Sequence, residues 1–214
     1  MILASTSPRR RELLALLGIP FTIQGADIDE TVQAAERPRD HVLRLAGEKA
    51  RRVASQRQGE CVLAADTIVV QHGRILGKPR DADEARRMLQ SLRAAPHQVL
   101  TAVAIARYPA AGASEQPLLL SEVHASQVSM RPYSDEEIED YIATGDPFDK
   151  AGGYAIQHPH FRPVAHFEGC FASIMGLPLG VVARLLSAAG LRPTPDWPRR
   201  CQALTGRCCQ FTSA

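Results

Sequence analysis

Three consecutive arginines in the first turn of a helix ask for a chemical reason. In Ser5-Thr6-Ser7-Pro8-Arg9-Arg10-Arg11, Ser7 stands where an N-cap belongs and Pro8 at the first helical position. A helix N-terminus offers free N–H groups and partial positive charge, so each exposed cation there costs about 0.3–1 kcal/mol. A docked anion removes the conflict. Backbone N–H groups, the Ser7 hydroxyl and the guanidinium forks of Arg9 and Arg10 would then all address phosphate oxygens. The other reading is a solvated basic turn paired with carboxylates such as Glu12. Asp66, in Ala64-Ala65-Asp66-Thr67-Ile68-Val69, is an acid inside an apolar strand. Such a group is costly to bury unless it is paired, hydrogen-bonded or bound to metal. No lysine or arginine stands near it in sequence. At a strand end opening into a cleft it could hold Mg²⁺ or deprotonate a water; the alternative is a structural cap.

Further residues can be read as partners of these two features. Lys49 lies four residues after Leu45 and four before Val53, on the apolar face of a helix, where a lysine either snorkels or is held for a charge partner. Lys78, between Gly77 and Pro79, is presented on a defined loop or is an ordinary turn lysine. Glu30, in the acidic stretch Asp27–Thr31, is a candidate second carboxylate for a metal or part of a solvated turn. The loop Thr144–Gln157 is dense in Gly, Asp and Pro and leads to Gln157, whose amide both donates and accepts and so suits a uracil or thymine edge. His158, His160 and His166 lack the spacing of a helical metal pair, and nothing else supports zinc.

These side chains need elements to carry them. Strands are expected at Ile2–Ser5, Phe21–Gln24, Cys61–Gln71, Gln98–Arg107 and Leu118–Met130, with shorter ones at Tyr154–Gln157, Val164–Phe167 and Phe171–Met175. Helices are expected from Ser7 to Gly18, from Pro38 to Gln58, over Asp81–Leu92, from the capping box Ser134/Glu137 to Thr144-Gly145, and over Pro178–Ala189. The mixture of crossover helices and adjacent strands implies an α/β fold with a mixed sheet. Residues 1–190 form one domain. Residues 191–214, with Pro193, Pro195 and Pro198 and no periodicity, are read as an irregular tail.

Bulk properties narrow the class. The 214 residues are 45% hydrophobic and 22% charged, normal for a globular protein. A net charge of +2 is too small for a general nucleic-acid surface, so a polyanion would bind at a local basic cluster. No apolar run reaches membrane-spanning length and no signal peptide is visible, which reads as cytoplasmic. Among the five cysteines no C-x-x-C pair occurs, and Cys208 and Cys209 read as free thiols.

In order along the chain, Leu3-Ala4-Ser5-Thr6-Ser7-Pro8-Arg9-Arg10, Asp29-Glu30, Glu48-Lys49-Ala50, Ala65-Asp66-Thr67, Gly77-Lys78-Pro79, Asp149-Lys150-Ala151-Gly152 and Gly176-Leu177-Pro178-Leu179 resemble the Maf family from Ile2 to Gly190. The resemblance implies a fold like that of the inosine triphosphate pyrophosphatases, with a long curved sheet, flanking helices and two lobes around a cleft. It implies hydrolysis of a nucleoside triphosphate to monophosphate and pyrophosphate with a divalent metal (Mg²⁺ or Mn²⁺), held by Glu30 and Asp66. It makes Asp66 the proton acceptor, places Arg9, Thr67 and Gln157 at positions tied to substrate choice, and puts Ser7, Arg10, Lys49 and Lys78 around the phosphates. One branch of the family takes dTTP and UTP; another takes 7-methyl-GTP and typically has Trp where this chain has Arg9, so the residues resemble the dTTP/UTP branch. A house-cleaning role against non-standard nucleotides and a homodimer are implied as well. The rival readings are a 7-methyl-GTP pyrophosphatase and a non-hydrolytic regulator of septum formation. The chain departs from the family at Gly169-Cys170, where Gly-Ser is usual.

Overall fold

The computed structural model describes residues 1–110, 112–113 and 116–206. Its frame is one mixed sheet. Strands β1 (Ile2–Leu3), β2 (Thr22–Ile23), β3 (Val62–Gln71), β4 (Arg74–Leu76), β5 (His97–Arg107), β6 (Leu118–Met130) and β7 (Val164–Glu168) are ordered β2-β1-β3-β5-β6-β7, with β4 on β3. The β2-β1-β3 side is parallel and the β3-β5-β6-β7 side antiparallel. β4 was not among the expected strands. It follows from His72-Gly73, both in the left-handed region, which fold β3 back into a hairpin.

The helices are α1 (Pro8–Ala15), α2 (Pro38–Gln56), α3 (Ala82–Ala94), α4 (Asp135–Ala143), α5 (Phe171–Ile174), α6 (Leu179–Ala188) and α7 (Trp197–Thr205). Local signals placed most of them. Ser7 and Asp81 accept N-terminal N–H groups of α1 and α3, and Ser134 with Glu137 completes the expected capping box of α4. Each such cap contributes about 1 kcal/mol.

Alternation along β3 and β5 sorts the core into layers. Even-numbered Val62, Ala64, Ile68, Leu100, Ala102 and Ala104 pack beneath Val42, Ala46, Ala50 and Val53 of α2. On the opposite face Leu3, Leu63, Ala65, Val103 and Ile105 meet α1 and α6. Further along that face Val69 and Val99 meet α3 and α4. No helix among the described residues is long and apolar enough to cross a membrane.

Three expected elements differ. Phe171–Met175 is not a strand: Phe171–Ile174 is one helical turn, because a short apolar run carries no period of its own. Tyr154–Gln157 joins no ladder; Tyr154 and Ala155 are instead buried in a loop. The segment after Gly190 is not irregular throughout. α7 accepts Pro198 in its first turn, where no N–H is needed, and buries Cys201 with Trp197 in the cluster around α1 and α6. The i, i+4, i+7 spacing of Trp197, Cys201 and Leu204 is the signal for it. Cys208 and Cys209 lie outside the described residues.

Candidate active site

The sheet has a notch. On the side of β3 away from β5, β1 pairs only with Val62 and Leu63, and β4 begins again at Val69. Between them no described strand pairs with β3 on that side, while β5 continues unbroken on the other. Asp66 and Thr67 fall in this gap. Their side chains alternate to opposite faces, and at an open edge both reach the same cleft. Its volume is about 890 Å³, and Ser7, Arg9, Arg10, Glu30, Lys49, Asp66, Thr67, Lys78 and Gln157 all line it. Residues expected from six separate sequence segments are thus brought together.

Asp66 points to the face covered by α2, in phase with Ala64 and Ile68. There Lys49, on the buried face of α2, places Nζ 2.6 Å from Asp66 Oδ1 and 2.6 Å from Glu30 Oε1. Lys49 is therefore held for charge partners and does not snorkel. No cation stands near Asp66 in sequence, and its partner comes from 17 residues upstream. Lys49 and Asp66 are 8% and 7% exposed, whereas the Glu30 side chain is 53% exposed and faces the cleft mouth. Glu30 sits on the long segment between β2 and α2, which has its own fastening. Arg44 of α2 grips Glu36 through two nitrogens at 2.6 and 2.9 Å and donates to the Thr31 carbonyl at 3.1 Å. His41 Nδ1 lies 2.9 Å from the same Glu36 carboxylate. The Arg44 guanidinium holds the Glu36 carboxyl far below the usual carboxylate range, with the backbone N–H of Gln33 adding to the effect.

Thr67 points to the other face, toward α1. No acidic residue stands in the first turn of α1, so the misplaced arginines have no local compensation. Arg10 folds back over the notch. Its Nε donates to the Gly176 carbonyl at 3.0 Å and its Nη2 to Thr67 Oγ1 at 3.1 Å. Burial lowers its pKa; Asp66 opposes that, Arg9 reinforces it, and Glu30 opposes it more weakly. Gly176 has φ +112°, and a Cβ there would stand 3.4 Å from both Arg10 Nε and Thr67 Oγ1, so the position suits glycine on two counts.

Lys78 is exposed on the loop after β4, which the N–H of Gly152 ties down through the Gly77 carbonyl at 3.0 Å. Gly152, at φ +71°, packs so closely that a Cβ would meet Val69 at 3.0 Å. This contact seats the loop carrying Gln157, itself exposed at the cleft edge, against β3. Sequence reasoning gave no role to Lys150, Tyr154 or His41, which also line the cleft. Lys150 is buried, with Nζ on the Asp146 carboxylate at 2.8 Å and on the Asp146 carbonyl at 2.7 Å. Its signal was present in the matching segment Asp149-Lys150-Ala151-Gly152.

The fit to a divalent cation can be judged from the donors. Mg²⁺ is commonly held by one or two carboxylates together with substrate phosphates and water. Glu30 and Asp66 are carboxylates of that kind, and the point on which they converge is held by Lys49 Nζ, 2.6 Å from each. Among the described residues no three His, Cys, Asp or Glu side chains converge into an all-protein cage.

Relatives share more than nine-tenths of the chain. A dTTP/UTP pyrophosphatase of Anaeromyxobacter dehalogenans is 50% identical over 93% of this chain and 97% of its own. One of Thermomicrobium roseum is 48% identical over 92% of this chain and 87% of its own, and one of Myxococcus xanthus is 48% identical over 91% and 94%. Among solved structures, the Ham1 protein of Staphylococcus aureus matches distantly, at 12% identity over 60% of this chain and 71% of its own, with a TM-score of 0.34. The family model described as Maf-like protein matches residues 1–189, and the chain belongs to that family.

Proposed function

We propose that this cleft hydrolyses dTTP and UTP to the nucleoside monophosphate and diphosphate. The observation that carries the reading is that Arg9, Arg10, Lys49 and Lys78 line one cleft together with a buried carboxylate, Asp66, at the notch of β3. The kinship to dTTP/UTP pyrophosphatases about half identical supports the same substrates. Arg9, Arg10 and Lys78 take up the charge of the triphosphate. Lys49 holds one oxygen of Asp66 and leaves the other to take a proton from water. That water attacks the α phosphorus, the bond between the α phosphorus and the bridging oxygen breaks, and pyrophosphate leaves with the electron pair. Positioning and charge stabilisation supply most of the rate. A divalent cation, Mg²⁺ or Mn²⁺, would be held by Glu30 and Asp66 and would neutralise phosphate charge. Gln157 reads the imide edge of the pyrimidine, with Arg9 and Thr67 shaping the choice of base. Cytoplasmic action as a homodimer, removing non-standard nucleotides, completes the proposal on the strength of the family resemblance.

The test is pyrophosphate release from a panel of triphosphates. dTTP and UTP should lead the panel, and Asp66→Asn should lower their turnover by about 10²-fold or more. Near wild-type turnover by the Asn variant would remove Asp66 from the role of base. Preference for 7-methyl-GTP would overturn the substrate assignment.

A further inference from the structure

Behind Thr67 a chain of hydrogen bonds runs along one face of the sheet, and its direction can be worked out. Thr101 of β5 is directly opposite Thr67 in the register and is fully buried. Its Oγ1 lies 2.8 Å from the Ser173 carbonyl of α5. A carbonyl oxygen only accepts, so the single hydroxyl hydrogen of Thr101 is spent there. At the 3.1 Å contact between Thr67 Oγ1 and Thr101 Oγ1, Thr67 must therefore be the donor. That spends the Thr67 hydrogen in turn. Toward the cleft Thr67 presents only lone pairs, and it accepts the Nη2–H of Arg10.

The chain also closes on itself. The Gly176 N–H donates to the same Ser173 carbonyl at 2.9 Å, while the Gly176 carbonyl accepts Nε of Arg10 at 3.0 Å. One turn around α5 thus anchors both ends of a ring through Arg10, Thr67 and Thr101. An acceptor-only hydroxyl cannot donate to a phosphate oxygen. What it can do here is accept from the Arg10 guanidinium.

We propose that Thr101, which lies behind the cleft wall, is a positioning residue for the triphosphate. By committing the Thr67 hydrogen inward, it makes Thr67 a pure acceptor and so orients Arg10 toward the phosphates. The inference rests on the pyrophosphatase reading for its substrate, though not for its geometry.

The test is a double-mutant cycle between Thr101 and Arg10. Thr101→Val preserves shape and removes the hydroxyl. It should raise the KM for dTTP roughly 3- to 10-fold, the range for losing one neutral hydrogen bond, with kcat changed less. Thr101→Ser, which keeps the hydroxyl, should restore the wild-type KM; it also serves should the Val variant fold poorly, as its KM must then stay normal. In an Arg10→Ala background Thr101→Val should change KM by less than 2-fold. The same cycle read by calorimetry with tripolyphosphate separates this inference from the proposed reaction. Loss of coupling only in dTTP turnover would count against the reaction as proposed, while coupling in tripolyphosphate binding would sustain the role of Thr101. Additive effects of the two substitutions, a Ser variant as impaired as Val, or a wild type that binds no tripolyphosphate would each overturn it.

Discussion

Replacing Lys49 by methionine keeps most of the stem that packs on the sheet and removes the charge that lies between Asp66 and Glu30. Taking one partner from a fully buried ion pair costs roughly 3–5 kcal/mol, because the other charge is left uncompensated. Asp66 is nearly buried, but it lines a cleft of about 890 Å³, and the Glu30 side chain is 53% exposed. Water reaches both carboxylates, and an exposed pair contributes only about 0–1 kcal/mol. The Asp66 half of the interaction therefore dominates, discounted to about 2 kcal/mol. For a chain of this size that corresponds to a fall in Tm of about 4–8 °C. The two freed carboxylates should also take a divalent cation better than the wild type does, since the ammonium no longer competes for the spot at which both point. Thermal unfolding of wild type and Lys49→Met, each with and without Mn²⁺, checks both statements. The expected result is a lower Tm for the variant and a larger Mn²⁺-induced rise. A variant that melts with the wild type, or that gains no more from Mn²⁺, would refute the reasoning about the carboxylate pair.

Three further outcomes follow from other contacts. Burial lowers the His97 pKa to about 4, and its Nε2 lies 2.7 Å from the Tyr154 hydroxyl. An unfolded histidine takes up a proton near pH 6.5, so the neutral folded form contributes fully above that pH; about 3 kcal/mol is lost as pH falls from 6.5 to 4. His97→Gln should flatten that part of the pH dependence of the urea midpoint, and an unchanged slope would refute it. Glu36→Gln removes the charge that Arg44 and His41 share and loosens the segment bearing Glu30. Thermolysin cleavage before Ile28 and Val32 should quicken, with overall Tm moved by only a few degrees; equal cleavage rates would count against the fastening. Arg9→Trp should weaken dTTP and UTP turnover relative to 7-methyl-GTP, and an unaltered substrate profile would dissociate Arg9 from base choice.

How much was legible beforehand varies with how local the cause is. The N-caps at Ser7, Asp81 and Ser134, the prolines at helix starts and the apolar stripe of α2 act within one or two turns, and those helices were read close to their observed bounds. Phe171–Ile174 and Trp197–Thr205 were not. The first is too short to show a period, and the second follows Pro193 and Pro195 and carries Pro198, which a helix tolerates in its first turn. In the site, residue types pointed to phosphate and to a carboxylate at work. They did not pair Asp66 with Lys49, because that contact joins a strand to a helix across 17 positions. Nothing in the apolar run around Thr101 distinguishes a hydroxyl aimed at Thr67 from an ordinary strand threonine.

The feature only the tertiary structure decided is the notch in β3. Composition and alternation place Asp66 and Thr67 on opposite faces of a strand, which would ordinarily separate them. They share a cleft because β1 stops at Leu3, opposite Leu63, and β4 ends at Leu76, opposite Val69, leaving the edge between open. Strand pairing depends on where distant segments end, and that is set by the packing of α1, α2 and the hairpin turn, not by the residues at the site. The sequence by itself therefore determined which groups are available for phosphate chemistry. The sheet determined that they face one another.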